Sequence, residues 1–135
     1  PEARLAAHGR MASAMHDVTE GGLATALEEL GTAGGHKIAI DMDAIPVFDL
    51  TRKICGALDL DPLGLIGSGS LLICCRPRHG KALLEQLQAG GIRGTMIGKV
   101  LQPGQGIEAF SQGRPVPWPR FEVDQITRLF GKNSG

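Results

Sequence analysis

Residues 14–30 read AMHDVTEGGLATALEEL: a polar cluster, then a glycine pair, then a helical pattern. Apolar residues from Leu23 to Leu30 recur at helical spacing and predict an amphipathic helix. Thr19 or Asp17 is suited to cap its N-terminus, because a side-chain oxygen there can accept a hydrogen bond from the first N–H groups. The stretch therefore predicts a short strand that runs through a polar turn into a helix.

The polar turn has features of a binding site. Gly21 and Gly22 would let a ligand or neighbouring backbone approach the first helical turn closely, and N–H groups exposed at a helix N-terminus attract anions. Asp17 and Glu20 add carboxylates, which would oppose a bare anion, hold a metal ion or take part in acid–base chemistry. The alternative interpretation is structural: a capped helix after a strand, with the glycine pair needed only for packing.

Composition limits the class of protein. The 135 residues suffice for one domain with its own core. Fourteen basic and fourteen acidic residues cancel, and four Phe, one Trp and no Tyr do not make a nucleic-acid-binding surface. No apolar run is long enough for a membrane span and no secretory signal is evident, so we expect no membrane partner and predict a cytoplasmic protein. A start at Pro1, without an initiator Met, predicts a fragment of a longer protein.

Three cysteines, Cys55, Cys74 and Cys75, are predicted to be structural. Their number is odd, and alternation along a strand would point the adjacent pair to opposite faces. Free buried thiols in a reducing compartment fit this pattern better than a disulfide framework. The spacing is not that of a metal site, and no metal ligands are predicted.

Strands and helices alternate along most of the chain. Strands are predicted over 11–15, 36–42, 71–75, 95–101 and 106–110, and helices over 2–8, 23–31, 49–58, 80–89 and 122–130. This order predicts an α/β or α+β protein in which helices pack on a mixed sheet.

Two expectations concern the end of the sheet. The strands over 95–101 and 106–110 are expected to form a hairpin through Pro103-Gly104. Three prolines are expected to exclude regular structure from residues 114–119.

Two further expectations concern exposure. The helix over 49–58 is expected to turn its apolar residues inward, namely Leu50, Ile54, Ala57 and Leu58. Residues 131–135 are expected to form a disordered tail.

Three segments together resemble the C-terminal domain of the AIR synthase superfamily. Residues 16–25 (HDVTEGGLAT) are similar to the D-x-T-x-G-G-L-A pattern of its hydrogenase maturation branch. Residues 45–47 (IPV), Cys55 and residues 60–63 (LDPL) are similar to a second stretch of that branch, and residues 67–72 (GSGSLL) take the place of its loop-to-strand segment. Order and spacing agree across about residues 14–100, so the resemblance implies this C-terminal-domain fold.

This superfamily includes aminoimidazole ribonucleotide synthase, formylglycinamidine ribonucleotide synthase, selenophosphate synthetase, thiamine-phosphate kinase and the hydrogenase maturation dehydratase. The resemblance implies an ATP-dependent enzyme that phosphorylates, and so activates, an amide-like or carbonyl oxygen. ATP and Mg²⁺ would be bound mainly by an N-terminal domain that is not among residues 1–135, which would form one C-terminal domain. The implied partners are a small-molecule substrate, that N-terminal domain and a second copy in a homodimer.

The two glycine-containing turns are the expected site. Asp17 and His16 are the predicted catalytic residues, with Asp17 facing the cleft and His16 or Glu20 orienting substrate or exchanging a proton. The predicted substrate- and phosphate-binding residues are Thr19, Glu20, Gly21, Gly22, Ser68, Gly69 and Ser70.

Two departures argue against the specific role of the hydrogenase maturation branch. The chain ends in FGKNSG, without the terminal cysteine of that branch, and residues 67–70 lack the acidic residue usual there. The alternative function is a non-catalytic domain of the same fold that binds a small anion or another subunit. A purely structural assembly domain is the weakest of the three, because the glycine loops are more polar than assembly alone needs.

Overall fold

Two separate β-sheets and five helices make up the computed structural model, which describes residues 1–131. The elements are α1 (Glu2–His8), β1 (Ala12–Asp17), α2 (Gly22–Gly34), β2 (His36–Asp41), α3 (Asp49–Leu58), β3 (Leu71–Cys75), α4 (Pro77–Ala89), β4 (Gly98–Pro103), β5 (Ile107–Ser111), β6 (Arg114–Val116) and α5 (Thr127–Gly131). Short 3₁₀ turns lie at Met42–Ala44 and Pro62–Gly64. The predicted mixed α+β fold with helices packed on a mixed sheet is confirmed.

The smaller sheet positions the predicted site. It consists of β1 and β3, which pair antiparallel with His16 opposite Leu72 and Asp17 opposite Leu71. The end of β1 therefore lies beside the start of β3, and the polar turn after β1 meets the loop that leads into β3.

The larger sheet has the strand order β4-β2-β5-β6. Its central strand β2 pairs antiparallel with β4 and parallel with β5, and β6 pairs antiparallel with β5 at the edge. Parallel and antiparallel neighbours in one sheet make it mixed.

The main core joins α2 to β2 and to the ends of the smaller sheet. Its buried members are Val18, Ala24, Ala26, Leu27, Ile38, Ile40, Ile45, Leu63 and Leu72. A second cluster consists of Ala6, Met11, Leu83 and Leu87 and lies where α1 meets α4. Burying a large aliphatic side chain contributes about 1.5–3 kcal/mol relative to exposure, so these clusters hold both ends of β1 in place.

The predicted hairpin between the last long strands is wrong. β4 and β5 do not pair with each other but lie on opposite sides of β2. The connecting loop binds to the start of β2 instead: Gly104 N–H donates to the Gly35 carbonyl at 3.0 Å, and Ile38 N–H donates to the Gly106 carbonyl at 3.2 Å. β2, a strand with alternating apolar residues, thus lies between β4 and β5. The local turn pattern could not predict this arrangement.

The prediction that residues 114–119 are wholly irregular is wrong, because Arg114–Val116 forms β6. Proline is tolerated at a sheet edge, where one side of the strand needs no ladder donor, and Pro115 lies opposite Phe110 there. The helix expected over 122–130 is limited to α5. Apart from Gly131, the predicted disordered tail over 131–135 lies outside the described residues.

Helix α3 has the predicted bounds, but its predicted inward face is wrong. Leu50, Ile54 and Leu58 are 68%, 48% and 42% exposed, whereas Cys55 is buried, and Ala57 is exposed as well. At 100° per residue the apolar arc continues from Leu50 to Cys55, and the domain covers only the side of Cys55. None of the helices in the described part of the chain is long and apolar enough to cross a membrane.

Candidate functional site

The first set of predicted site residues follows the end of strand β1. His16 and Asp17 are its last residues, and Thr19 and Glu20 lie on the exposed turn that leads into α2. The Asp17 side chain is 74% exposed, whereas the His16 side chain is 26% exposed. Asp17 therefore presents its carboxylate to the surroundings, and His16 is turned partly inward.

The second set, in the loop before β3, meets the first through the backbone of Val18. Val18 N–H donates to the Ser70 carbonyl at 3.3 Å, and Gly67 N–H donates to the Val18 carbonyl at 3.1 Å. Ser70 N–H closes the loop on the Gly67 carbonyl at 2.8 Å. Two segments about fifty residues apart in sequence thus form one surface, on which Ser68, Gly69 and Ser70 are exposed.

The helix after the turn begins without a side-chain cap, so the prediction that Thr19 or Asp17 caps it is wrong. Gly21 is the N-cap residue, in the left-handed region at φ 78°. Gly22 N–H donates to the Thr19 carbonyl at 3.1 Å, which makes residues 19–22 a tight turn. Glycine fits this turn because φ is also positive at Gly22, at 67°.

Neighbouring backbone explains the close packing at Gly22. A Cβ atom built there would overlap the Leu63 carbonyl oxygen and lie 2.7 Å from that of Leu65. The sequence predicted that either a ligand or neighbouring backbone approaches the glycine pair closely. In the described structure, neighbouring backbone does so at Gly22. Gly21 and Gly22 are buried and position the turn; their predicted role in phosphate binding stays a prediction.

Both ring nitrogens of His16 have an oxygen atom nearby. Nδ1 lies 2.6 Å from the Asp17 carbonyl oxygen and 3.6 Å from Asp17 Oδ1. Nε2 lies 3.0 Å from Oε2 of Glu29 in α2. Sequence reasoning missed Glu29, because no local spacing links it to His16 and the contact exists only where α2 packs beside β1.

The cysteines are free thiols, as predicted, but only Cys55 is buried, whereas Cys74 and Cys75 are half-buried. Burial, and then the charge of Asp61, raises the pKa of Cys55; burial, and then Cys75, raises the pKa of Cys74. A raised pKa keeps these groups as thiols, which are poor nucleophiles and poor metal ligands. Among residues 1–131, no group of three or more His, Cys, Asp and Glu side chains is arranged to hold a metal ion.

An open cleft of about 590 Å³ is present as well, and none of the predicted site residues lines it. Its charged lining residues are Asp59, Asp61, Arg120 and Arg128. Arg120 Nε is 3.0 Å from Glu28 Oε1, and Arg128 is 3.7 Å from Asp59. The two acidic and two basic side chains of this cleft cancel in charge, and both arginines are in ion pairs. The cleft is therefore poorly suited to an anionic ligand. We therefore place the candidate site at the two joined loops.

Residues 2–109 match the family described as AIR synthase related protein, C-terminal domain. The chain belongs to this family, as the resemblance of its motifs predicted. A relative called carbamoyl dehydratase HypE, from Cupriavidus necator, is 34% identical over 121 residues, which are 85% of this chain and 34% of the relative. The chain spans about a third of the length of such curated relatives.

Solved structures show the same fold. The crystal structure of Escherichia coli HypE, a hydrogenase maturation protein, has a TM-score of 0.83 at 24% identity and covers 96% of this chain and 42% of that one. A structure of hydrogenase maturation protein HypE in complex with ATP has a TM-score of 0.70 at 27% identity and covers 80% of this chain and 35% of that one. The predicted AIR synthase C-terminal-domain-like fold is therefore confirmed.

Proposed function

We propose that this chain is the substrate- and phosphate-binding domain of an ATP-dependent enzyme that activates an amide-like or carbonyl oxygen by phosphorylation. Membership in the AIR synthase-related family supports this proposal, as does the likeness to a HypE structure that contains ATP. A relative named as a carbamoyl dehydratase supports an amide-like group as the substrate class.

One observation carries the proposal: the backbone of Val18 joins the two predicted loops into a single polar surface. That surface presents the exposed Asp17 carboxylate, the Thr19 hydroxyl and the hydroxyls of Ser68 and Ser70. Phosphoryl transfer depends mostly on positioning and on neutralising charge, rather than on covalent work by the protein. Hydroxyls and backbone N–H groups would bind phosphate oxygens there, and Asp17 would orient the attacking oxygen or accept its proton.

Asp17 and Glu20 are not part of a group of three or more possible metal ligands within residues 1–131. Mg²⁺ is commonly held by one or two carboxylates together with substrate phosphates. On the family resemblance, the proposal assigns ATP and Mg²⁺ mainly to an N-terminal domain of the full-length protein, and it assigns the binding of the substrate that receives the phosphoryl group to this chain. That domain, the substrate and a second copy of the protein are its proposed partners.

The test is substrate-stimulated ATP hydrolysis by the full-length gene product. Amide, thioamide and ribonucleotide substrates would be compared in the presence of magnesium, with Asp17→Asn as the variant and Asp49→Asn, an exposed carboxylate on α3, as the matched control. We expect stimulation that Asp17→Asn abolishes and Asp49→Asn preserves. A protein that neither binds nor hydrolyses ATP would instead favour the alternative, a non-catalytic domain that binds a small anion.

A further inference from the structure

The open cleft of about 590 Å³ has a volume typical of small-molecule sites. It is lined by residues 59–62 and by Arg120, Phe121, Gln125 and Arg128. The protein itself engages both arginines: Arg120 pairs with Glu28, and Arg128 donates to the Asp59 carbonyl at 3.2 Å and to Gln125 Oε1 at 3.1 Å. A ligand in this cleft would therefore meet Gln125 and Asp61 as its polar partners.

Gln125 is a buried amide whose orientation is set by its neighbours. The residue is only 8% exposed, and its Oε1 atom accepts from Arg128 and from the Asp61 N–H, at 3.1 and 3.5 Å. Both neighbours can only donate, so the amide oxygen lies on their side and Nε2 on the other. Among the described residues Nε2 has no acceptor, yet it is not one of the atoms buried without a partner. Its two N–H groups are therefore open to the cleft that Gln125 lines.

Asp61 offers the complementary group beside this amide. Its Oδ1 atom accepts from Leu63 N–H at 2.8 Å, which fixes the carboxylate at the start of the turn at Pro62–Gly64. Within residues 1–131, Oδ2 has no donor and is not buried without a partner. An ionised carboxylate can only accept. The cleft thus presents an acceptor from Asp61 next to donors from Gln125.

Apolar side chains and close packing complete the site. Phe121 and Pro62 line the same cleft. A Cβ atom built at Gly64 would lie 2.6 Å from Gln125 Cγ and 2.7 Å from Phe121 Cγ, and Gln125 N–H donates to the Gly64 carbonyl at 2.9 Å. The glycine therefore lets both side chains lie directly on the backbone of the turn. Ligand sites typically combine such an apolar surface with a few polar groups held in place.

We propose that this cleft binds a small uncharged ring with a lactam edge, which places a C=O and an N–H group side by side. The ring carbonyl accepts from Gln125 Nε2, the ring N–H donates to Asp61 Oδ2, and the flat ring lies against Phe121. An uncharged ligand fits because the charged side chains of the cleft cancel. The site is independent of the proposed function, since no residue of the two joined loops lines it.

The first experiment titrates 2-pyridone, an uncharged lactam, into the ¹⁵N-labelled 135-residue chain and follows the amide signals by NMR. We expect saturable shifts of Asp61, Leu63 and the side-chain NH₂ of Gln125. N-methyl-2-pyridone keeps the ring and the carbonyl but lacks the N–H, and acetamide keeps the amide edge without the ring. Loss of a hydrogen bond to a charged group should weaken binding of N-methyl-2-pyridone about tenfold or more, and acetamide should also bind more weakly. No binding of 2-pyridone, or equal binding of either control compound, overturns the proposal.

The second experiment repeats the 2-pyridone titration with variants that exchange donor for acceptor. Asp61→Asn keeps an oxygen for Leu63 N–H but turns Oδ2 into a donor, and Gln125→Glu keeps an oxygen for Arg128 but turns Nε2 into an acceptor. Each should weaken binding about tenfold or more. Glu122→Gln removes an exposed carboxylate that does not line the cleft, and it should bind as the wild type does.

The double variant separates recognition from a structural effect. Asp61→Asn with Gln125→Glu restores one donor and one acceptor in exchanged places at unchanged net charge, and a lactam ring can turn over to meet them. Binding of 2-pyridone should return to within about threefold of the wild type, because both hydrogen bonds are made again. Single variants that bind like the wild type, or a double variant weaker than either single one, overturn the assignment. If a variant loses the spectrum of the folded chain, the comparison of the two pyridones decides.

Discussion

Gly22 shows how a single residue fixes the geometry of the candidate site. Its positive φ and the Leu63 and Leu65 carbonyls beside it leave no room for a side chain. We predict that Gly22→Ala lowers the free energy of unfolding by about 2–5 kcal/mol, the sum of backbone strain and overpacking. Urea unfolding followed by circular dichroism measures this loss.

Gly69 provides the matched control, because it also has a positive φ, at 88°, but a Cβ atom there would meet nothing within 4 Å. Gly69→Ala should therefore cost only the backbone strain, about 1–2 kcal/mol. Equal losses at both positions would show that close packing under Leu63 is not the reason for glycine at position 22. Because Gly22 supports the fold, loss of binding in a Gly22 variant would not by itself identify a ligand site.

At the scale of elements, Asp43 links the turn at Met42–Ala44 to the turn between β5 and β6. Its carboxylate accepts from Gln112 N–H at 2.6 Å and from the Ser111 hydroxyl at 2.8 Å. The backbone N–H of Gln112, and then the hydroxyl of Ser111, lower the pKa of Asp43. Gln112 has a positive φ of 50°, so the bond also steadies a strained turn.

The pH dependence follows from that lowered pKa. A carboxyl group with a lowered folded pKa adds stability above its unfolded pKa, and this stability is lost as pH falls through the folded value, here below about pH 4. We predict that Asp43→Asn is less stable than the wild type at neutral pH and that the two converge in acid. Ser111→Ala, which keeps the carboxylate, should raise the pKa of Asp43 measured by NMR. Parallel stability curves down to acid pH would contradict the proposed link.

The elements differ in how far the sequence could predict them. The bounds of α3 and β3 are those predicted, because proline and apolar runs act locally. The neighbours of β2 were not predictable, since strand pairing joins distant segments and a local turn cannot show that a third strand lies between two others. The predicted inward face of α3 was wrong for a related reason. Periodicity identifies an apolar stripe on a helix but does not show which part of the molecule covers it.

At the scale of the whole molecule, the family was predicted from three motifs in order and is confirmed by the match over residues 2–109. The two loops were identified from their residue types, yet their contact through Val18 required the pairing of β1 with β3. The partner of His16 required the packing of α2 as well. Residue chemistry thus predicted the exposed parts of the candidate site, and the residues that position them appear only in three dimensions.

Division of the proposed enzyme between two domains leads to a prediction about the chain alone. The two joined loops offer an exposed acceptor surface, and the proposal assigns ATP and Mg²⁺ mainly to an N-terminal domain. ATP hydrolysis requires metal and protein cations to neutralise the phosphates, so the isolated 135 residues should show no magnesium-dependent ATP hydrolysis above a blank reaction. A coupled phosphate-release assay measures this directly, with the full-length protein at equal concentration as the positive control. If the isolated chain hydrolyses ATP and Asp17→Asn abolishes this activity, the nucleotide site lies within these residues. That result would overturn the proposed assignment of ATP to an N-terminal domain.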